Sequence, residues 1–152
     1  MEAPRISAPR DTLELYARAG ETADVDLLVS LYAADGVLRS PIAGRLAFRG
    51  RDDLRTLMRA VYRVAKDPEF HRRAVDGRIG MLTGSSRVWG LRIEEAFAFD
   101  LDEDGKIETV TVHIRPLLGL TALALALALE LASKPAILFR AARLGWGMAR
   151  AG

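Results

Sequence analysis

The sequence contains no cysteine. Disulfides, thiolate metal sites and cysteine nucleophiles are therefore excluded, and the chain fits a reducing compartment such as the cytoplasm. Histidine occurs twice, as His71 and His113, with no neighbouring acid at ligand spacing, so no metal site is expected. Aromatic residues make up 7% and are not interleaved with arginine. Net charge is +2, from 22 basic and 20 acidic residues, so there is no basic excess to hold nucleic acid. The first ten residues, Met1 to Arg10, lack the apolar core of a signal peptide. Gly84-Ser85-Ser86 lacks the lysine and following helix of a phosphate loop, and Asp102 to Asp104 lack the spacing of a calcium loop. No cofactor is expected.

What is present describes a container. Hydrophobic residues are 50% and charged residues 28% of 152, enough for one soluble domain with a real core. Residues 1–10 carry two prolines and read as a loose lead-in. Residues 11–118 form the domain, and residues 119–152 a Leu/Ala-rich helical extension. Asp11-Thr12 can cap a first helix with Leu13, Tyr16 and Ala17 on one face, ended by Gly20. Thr22 or Asp24 restarts it, with Val25, Leu28, Val29 and Tyr32 as the apolar stripe. Asp35-Gly36 turns the chain into a short strand, Val37 to Ser40, which Pro41 ends. Gly50-Arg51-Asp52-Asp53 opens a third helix with Leu54, Leu57, Met58, Val61 and Val64 inward, and Asp67-Pro68 breaks it.

Strand-like runs follow at Glu69–Asp76, Arg87–Asp100 and Lys106–Pro116, with the hairpin turn Asp102-Glu103-Asp104-Gly105 between the last two. A further short strand fits around Ile79–Leu82, flanked by turns at Asp76-Gly77 and Gly84-Ser85. From Leu117 to Leu131 leucine and alanine dominate, with no β-branched residue after Thr121. That composition predicts a helix, although leucine recurs at every second position from Leu123. Lys134-Pro135 interrupts it, and a more basic helix is predicted from Ala136 to Trp146.

The residues Leu31-Tyr32-Ala33-Ala34-Asp35-Gly36-Val37, Ser40-Pro41-Ile42, Phe48-Arg49-Gly50-Arg51-Asp52 and Asp104-Gly105-Lys106-Ile107, leading to Ile114-Arg115-Pro116-Leu117, resemble the SnoaL-like branch of the nuclear transport factor 2-like superfamily. The likeness spans about residues 10–120. It implies a cone-shaped α+β domain, three helices on a curved, mainly antiparallel sheet, usually dimeric through the convex face. Members include ketosteroid isomerases, polyketide cyclases, epoxide hydrolases, dehydratases and non-catalytic binding modules, so fold alone does not fix function. The resemblance also implies that Tyr16 corresponds to a substrate-oxygen donor of the isomerases. Their general base corresponds to Ser40, a poor base, and their strand-borne acid to Phe97, with Glu95 two residues earlier on the same face.

Alternation puts Trp89, Leu91, Ile93, Glu95, Phe97 and Phe99 on one strand face, and Val110, Val112 and Ile114 on the next. These faces are expected to line a pocket closed by Tyr16, Tyr32, Leu57 and Val61. Glu95 is the one carboxyl on the apolar side. It is either a desolvated acid/base or a carboxylate paired with Arg39 or Arg92. Tyr16 either anchors a ligand oxygen or simply packs. Thr109, Thr111, His113 and Arg115 share the opposite face, where they are expected to meet the partner of a homodimer.

The leading functional expectation is a module binding a small hydrophobic molecule. The alternative is a cyclase, isomerase or epoxide hydrolase using Glu95 and Tyr16 for acid/base chemistry. A second alternative is a membrane-surface protein, from the Leu/Ala run with Lys134, Arg140 and Arg143 behind it.

Overall fold

Residues 9–150 are described by a computed structural model, the last three by their backbone alone. The order is α1 (Pro9–Glu21), α2 (Val25–Ser30), β1 (Tyr32–Arg39), β2 (Ala47–Arg49), α3 (Arg51–Val64), β3 (Ala65–Asp76), β4 (Ile79–Val88), β5 (Leu91–Leu101), β6 (Ile107–Arg115), α4 (Leu117–Leu131) and α5 (Pro135–Arg150). The strands form one six-stranded sheet in the order β2-β1-β6-β5-β4-β3, in which only β1 and β6 run parallel.

Of the expected lead-in, residues 1–8 lie outside the described residues, while Pro9 and Arg10 already belong to α1. Proline suits that position, where its missing N–H costs no helical bond. Thr12 is therefore not a cap. It is fully buried, and its hydroxyl donates to the Gly105 carbonyl at 2.6 Å, tying α1 to the β5–β6 turn. That turn forms as expected: the Asp102 carboxylate accepts from the N–H groups of Asp104 at 2.9 Å and Lys106 at 2.8 Å. Asp24 caps α2, accepting from the Leu27 N–H at 3.0 Å.

Tyr32, expected on a helical stripe, instead opens β1. Asp35-Gly36 lies within that strand, at an irregularity between Tyr32 and Val37, and does not precede it as a turn. A Cβ on Gly36 would sit 2.7 Å from the Ile107 carbonyl oxygen, so this glycine lets β1 approach β6. Asp67-Pro68 does not break α3 either. The helix ends at Val64, and Asp67, at φ 51°, forms an irregularity inside the edge strand β3.

The predicted run Arg87–Asp100 divides. Trp89 and Gly90, at φ 50° and 80°, make a tight turn closed by the pair Val88–Leu91. Arg87 and Val88 belong to β4, which runs straight through Gly84-Ser85. A Cβ on Gly84 would meet the Glu69 carbonyl at 2.8 Å and the Phe70 ring at 3.0 Å. That glycine marks close packing and not a turn.

The core lies between the concave sheet face and the helices. Ile93, Phe97, Phe99, Val110 and Val112 meet Leu13 and Tyr16 of α1 and Leu54, Leu57 and Met58 of α3. The Tyr16 ring stands edge-on to Phe99, with centroids 4.9 Å apart. On the convex face His113 and Arg115 are exposed, and Arg115 pairs with Glu94.

Helix α4 closes the concave side with Ala122, Leu123, Ala126, Leu127 and Leu131. Gly119 lets it sit directly on Ile93, whose Cγ2 lies 2.4 Å from where a Cβ would be. Helix α5 returns to β2, where Arg140 clamps Asp53 through contacts of 2.6 and 3.0 Å and the Arg45 guanidinium lies 4.4 Å above the Trp146 ring. Among the described residues no helix is long and apolar enough to cross a membrane.

A Cβ on Gly145 would fall 1.8 Å from the Arg45 carbonyl oxygen, whereas one on Gly147 meets nothing within 4 Å. Gly147→Ala should stabilise by up to about 1 kcal/mol from helix propensity alone. Gly145→Ala should instead cost about 1–3 kcal/mol, because α5 must lift from the loop before β2. Urea denaturation of the pair checks this, and equal gains for both would show that α5 does not seat on Arg45.

Candidate functional site

The concave face, α3 and α4 enclose a cavity of about 270 Å³. Its walls are almost wholly apolar: Leu38, Phe97, Val112 and Ile114 from the sheet, Leu57, Met58 and Val61 from α3, Leu123, Leu127 and Leu131 from α4, and Phe48, Phe70 and Leu138 at the edges. The polar side chains in the lining are Tyr16, Ser40, Tyr62, Ser86 and Glu95.

Glu95 reaches the cavity from the middle of β5, where it pairs with Gly84 of β4 and Ile114 of β6. Ser86 pairs with Ile93, which makes it the diagonal neighbour of Glu95 on the same face. Its hydroxyl donates to Glu95 Oε1 at 2.7 Å. Neither Arg39 nor Arg92 pairs with this carboxyl; among the described residues Ser86 is its hydrogen-bond partner. Burial raises the Glu95 pKa above the ordinary carboxylate range, and the Ser86 hydrogen bond offsets part of that rise.

Two tyrosines of the lining, Tyr16 and Tyr62, stand near this carboxyl. Tyr16 has a pKa raised well above the ordinary phenol value, first by burial, then by Tyr32 and Glu95. Tyr62 is likewise raised by burial, then by Tyr16 and Glu95. Both therefore stay protonated at neutral pH. Tyr32 stands behind Tyr16, close enough that each shifts the other's proton affinity. The two fall short of a formed hydrogen bond, and the Tyr32 hydroxyl is buried without a partner. Ser40, at the end of β1, has its oxygen engaged by the Ile42 N–H at 3.1 Å.

Seven of the residues singled out in the sequence meet at this cavity: Tyr16, Leu57, Val61, Glu95, Phe97, Val112 and Ile114. Five do not line it. Tyr32 lies behind the wall, and Val110 is fully buried in the core beneath. Ile93 is covered by α4 at Gly119. Trp89 lies in the β4–β5 turn and Leu91 opens β5 beside it, 60% and 37% exposed, beyond the reach of the cavity. Ser86, Tyr62 and the α4 residues were not singled out. Reading Trp89-Gly90 as the turn would have found Ser86, since register then fixes it diagonal to Glu95.

These features define a class: an α+β protein whose curved sheet, helices and long C-terminal helix enclose one apolar cavity with a carboxyl in its wall. Residues 13–110 match the model of the SnoaL-like domain family. The chain belongs to that family. No curated protein matches it. Among solved structures it is similar to a steroid delta-isomerase from Pseudomonas aeruginosa, at 29% identity and TM-score 0.75, covering 89% of this chain and 99% of that one. It is also similar to an uncharacterized bacterial protein with a cystatin-like fold from Silicibacter pomeroyi, at 21% identity and TM-score 0.78, covering 86% and 93%. A third similar structure is an epoxide hydrolase/cyclase-like enzyme of pyran ring formation in the polyether salinomycin, at 17% identity and TM-score 0.62, covering 73% and 92%.

A carboxyl whose pKa is higher in the folded than in the unfolded chain binds its proton more tightly when folded. Below the ordinary value of 4.5 both states are protonated. As pH rises from there through the raised folded value, the unfolded chain loses its proton first and stability falls. Glu95→Gln removes this loss. The difference in unfolding free energy between variant and wild type should therefore grow in the variant's favour from pH 4 to pH 8, by about 1.4 kcal/mol for each tenfold difference in proton affinity. A pH-independent difference in denaturation midpoints would show an unshifted carboxyl.

Proposed function

We propose that the cavity binds a compact hydrophobic molecule carrying one oxygen, with the carbon skeleton against the apolar walls and the oxygen at Tyr16 and Glu95. The observation that carries this is a lone carboxyl, hydrogen-bonded to Ser86 at 2.7 Å, in a wall otherwise almost wholly apolar. Small-molecule sites have this composition: much apolar surface and a few placed polar groups. An engineered cavity of about 150 Å³ takes up benzene, so scaling by volume gives a ligand of roughly ten to twelve non-hydrogen atoms here. A four-ring steroid has about twice as many atoms, so the space under α4 suits a two-ring molecule better.

The second reading is an acid/base enzyme of the isomerase or cyclase type. It is favoured by the raised proton affinity of Glu95 and by the likeness to a steroid delta-isomerase. In this reading Glu95 takes a proton from carbon beside a carbonyl and returns it nearby, while Tyr16, backed by Tyr32, donates to the oxygen on which charge develops. Ser40 holds no proton-accepting role, because its oxygen already serves the turn at Ile42. A hydrolytic relay of two carboxylates is not supported, since Glu95 is the only acid in the described lining.

The test uses two-ring probes. 2-Naphthol should bind by calorimetry, and Val112→Phe, which fills the cavity from β6, should weaken it at least about tenfold with the fold intact. Unchanged affinity in Val112→Phe would place the ligand elsewhere. For the chemistry, 2-tetralone in deuterium oxide should exchange the protons beside its carbonyl faster with the protein present. Glu95→Gln should lower that rate by about 10²–10⁴. Tyr16→Phe should lower it only about tenfold, as one hydrogen bond is lost. Exchange that survives Glu95→Gln would leave binding as the whole function.

A further inference from the structure

The same helix that lines the cavity on one side presents leucine on the other. Leu118, Leu125 and Leu129, spaced along the outer face of α4, are 66%, 55% and 72% exposed. Thr121 and Ala128 fill the positions between them and Ala132 follows, so this exposed face carries no charge. On α5, Phe139 is 68% and Trp146 53% exposed, seven residues apart and so on one helix face, with the Arg45 guanidinium over the Trp146 ring. The packing of Gly119 against Ile93 and the Arg92 carbonyl brings the start of α4 to the β4–β5 turn, where Trp89 is 60% exposed. Trp89 thus borders the start of the α4 face, and Trp146 lies toward the end of α5.

A water-facing helix with no charge on its outer side requires a cover. The rim of the surface indicates which. Lys134 between the helices and Arg143 beside Phe139 are exposed, and among the described residues neither forms an ion pair. The acids nearby, Glu130 and Asp53, are neutralised by Arg63 and Arg140. Exposed leucine and phenylalanine, with tryptophan and unpaired cations on the same helices or at their ends, are the side chains that a bilayer surface takes into its acyl, carbonyl and anionic headgroup layers. Helix α4, at 15 residues, is too short to span and suits lying in the plane.

We propose that the outer face of α4 and α5, with the Trp89 turn, docks on anionic phospholipid bilayers. Leu125, Leu129, Lys134 and Arg143 are not among the residues that line the cavity, so substitutions there test docking independently of what the cavity binds.

The full chain is mixed with vesicles of phosphatidylcholine, with or without about one-third phosphatidylglycerol. Expected are sedimentation with the anionic vesicles, a blue shift of tryptophan emission and weakening by salt. Leu125→Glu with Leu129→Glu should lower the vesicle-bound fraction at least about tenfold. Lys134→Glu with Arg143→Glu should abolish the preference for phosphatidylglycerol. Circular dichroism and 2-naphthol binding, which read the fold and the cavity, should not change in either pair. Sedimentation indifferent to the leucine substitutions overturns the proposal, as does failure to sediment with either vesicle. In the second case, a dimer by light scattering that Leu125→Glu with Leu129→Glu splits would assign the face to a second copy of the chain.

Discussion

A carboxyl placed among leucine, phenylalanine and valine must either find a partner for its charge or keep its proton. Among the described residues Glu95 has one neutral hydroxyl, from Ser86, and no cation. The rest of the site is arranged around that constraint. The sheet register puts Ser86 within reach, the walls are almost wholly apolar, and the hydroxyls of Tyr16 and Tyr62 beside it stay protonated. Helix α4 matters because it supplies the last wall. Without Leu123, Leu127 and Leu131 the carboxyl would face solvent and its ordinary proton affinity would return.

The clamps on α4 and α5 therefore bear on chemistry as well as on stability. Arg63–Glu130 and Arg140–Asp53 are exposed pairs, worth little individually. Packing does more: Gly119 lets α4 rest on Ile93, and Gly145 lets α5 rest on Arg45. Removing side chains at two points has brought two helices close enough to shut a cavity. The cost is an outer helix face of leucine turned toward the surroundings.

Much of this was legible in the sequence. Helical stripes such as Leu54, Leu57 and Met58 show their period directly, and the Leu/Ala run obeys propensity over its misleading two-residue spacing. Strand parity brought Glu95, Phe97, Val112 and Ile114 to one face. The errors share a cause. Gly36, Gly84 and Asp67-Pro68 read as punctuation, yet they lie inside strands, where a glycine serves close approach and a proline tolerates an edge. Such contacts depend on Phe70, Ile107 and other residues distant in the chain, which local pattern does not reveal. Trp89 went astray for the converse reason: β propensity favours it in a strand, and only the pairing of Val88 with Leu91 makes it a turn. Ser86 was lost with it.

The central claim is that the protein's fold, through burial, holds Glu95 above the ordinary carboxylate range. Carboxyl carbon NMR of selectively labelled protein, with Glu95→Gln to assign the resonance, measures this directly. The account predicts a midpoint for Glu95 clearly above 4.5. A midpoint at or below that value would mean a solvated carboxylate, and would contradict both the burial of Glu95 and the chemistry drawn from it.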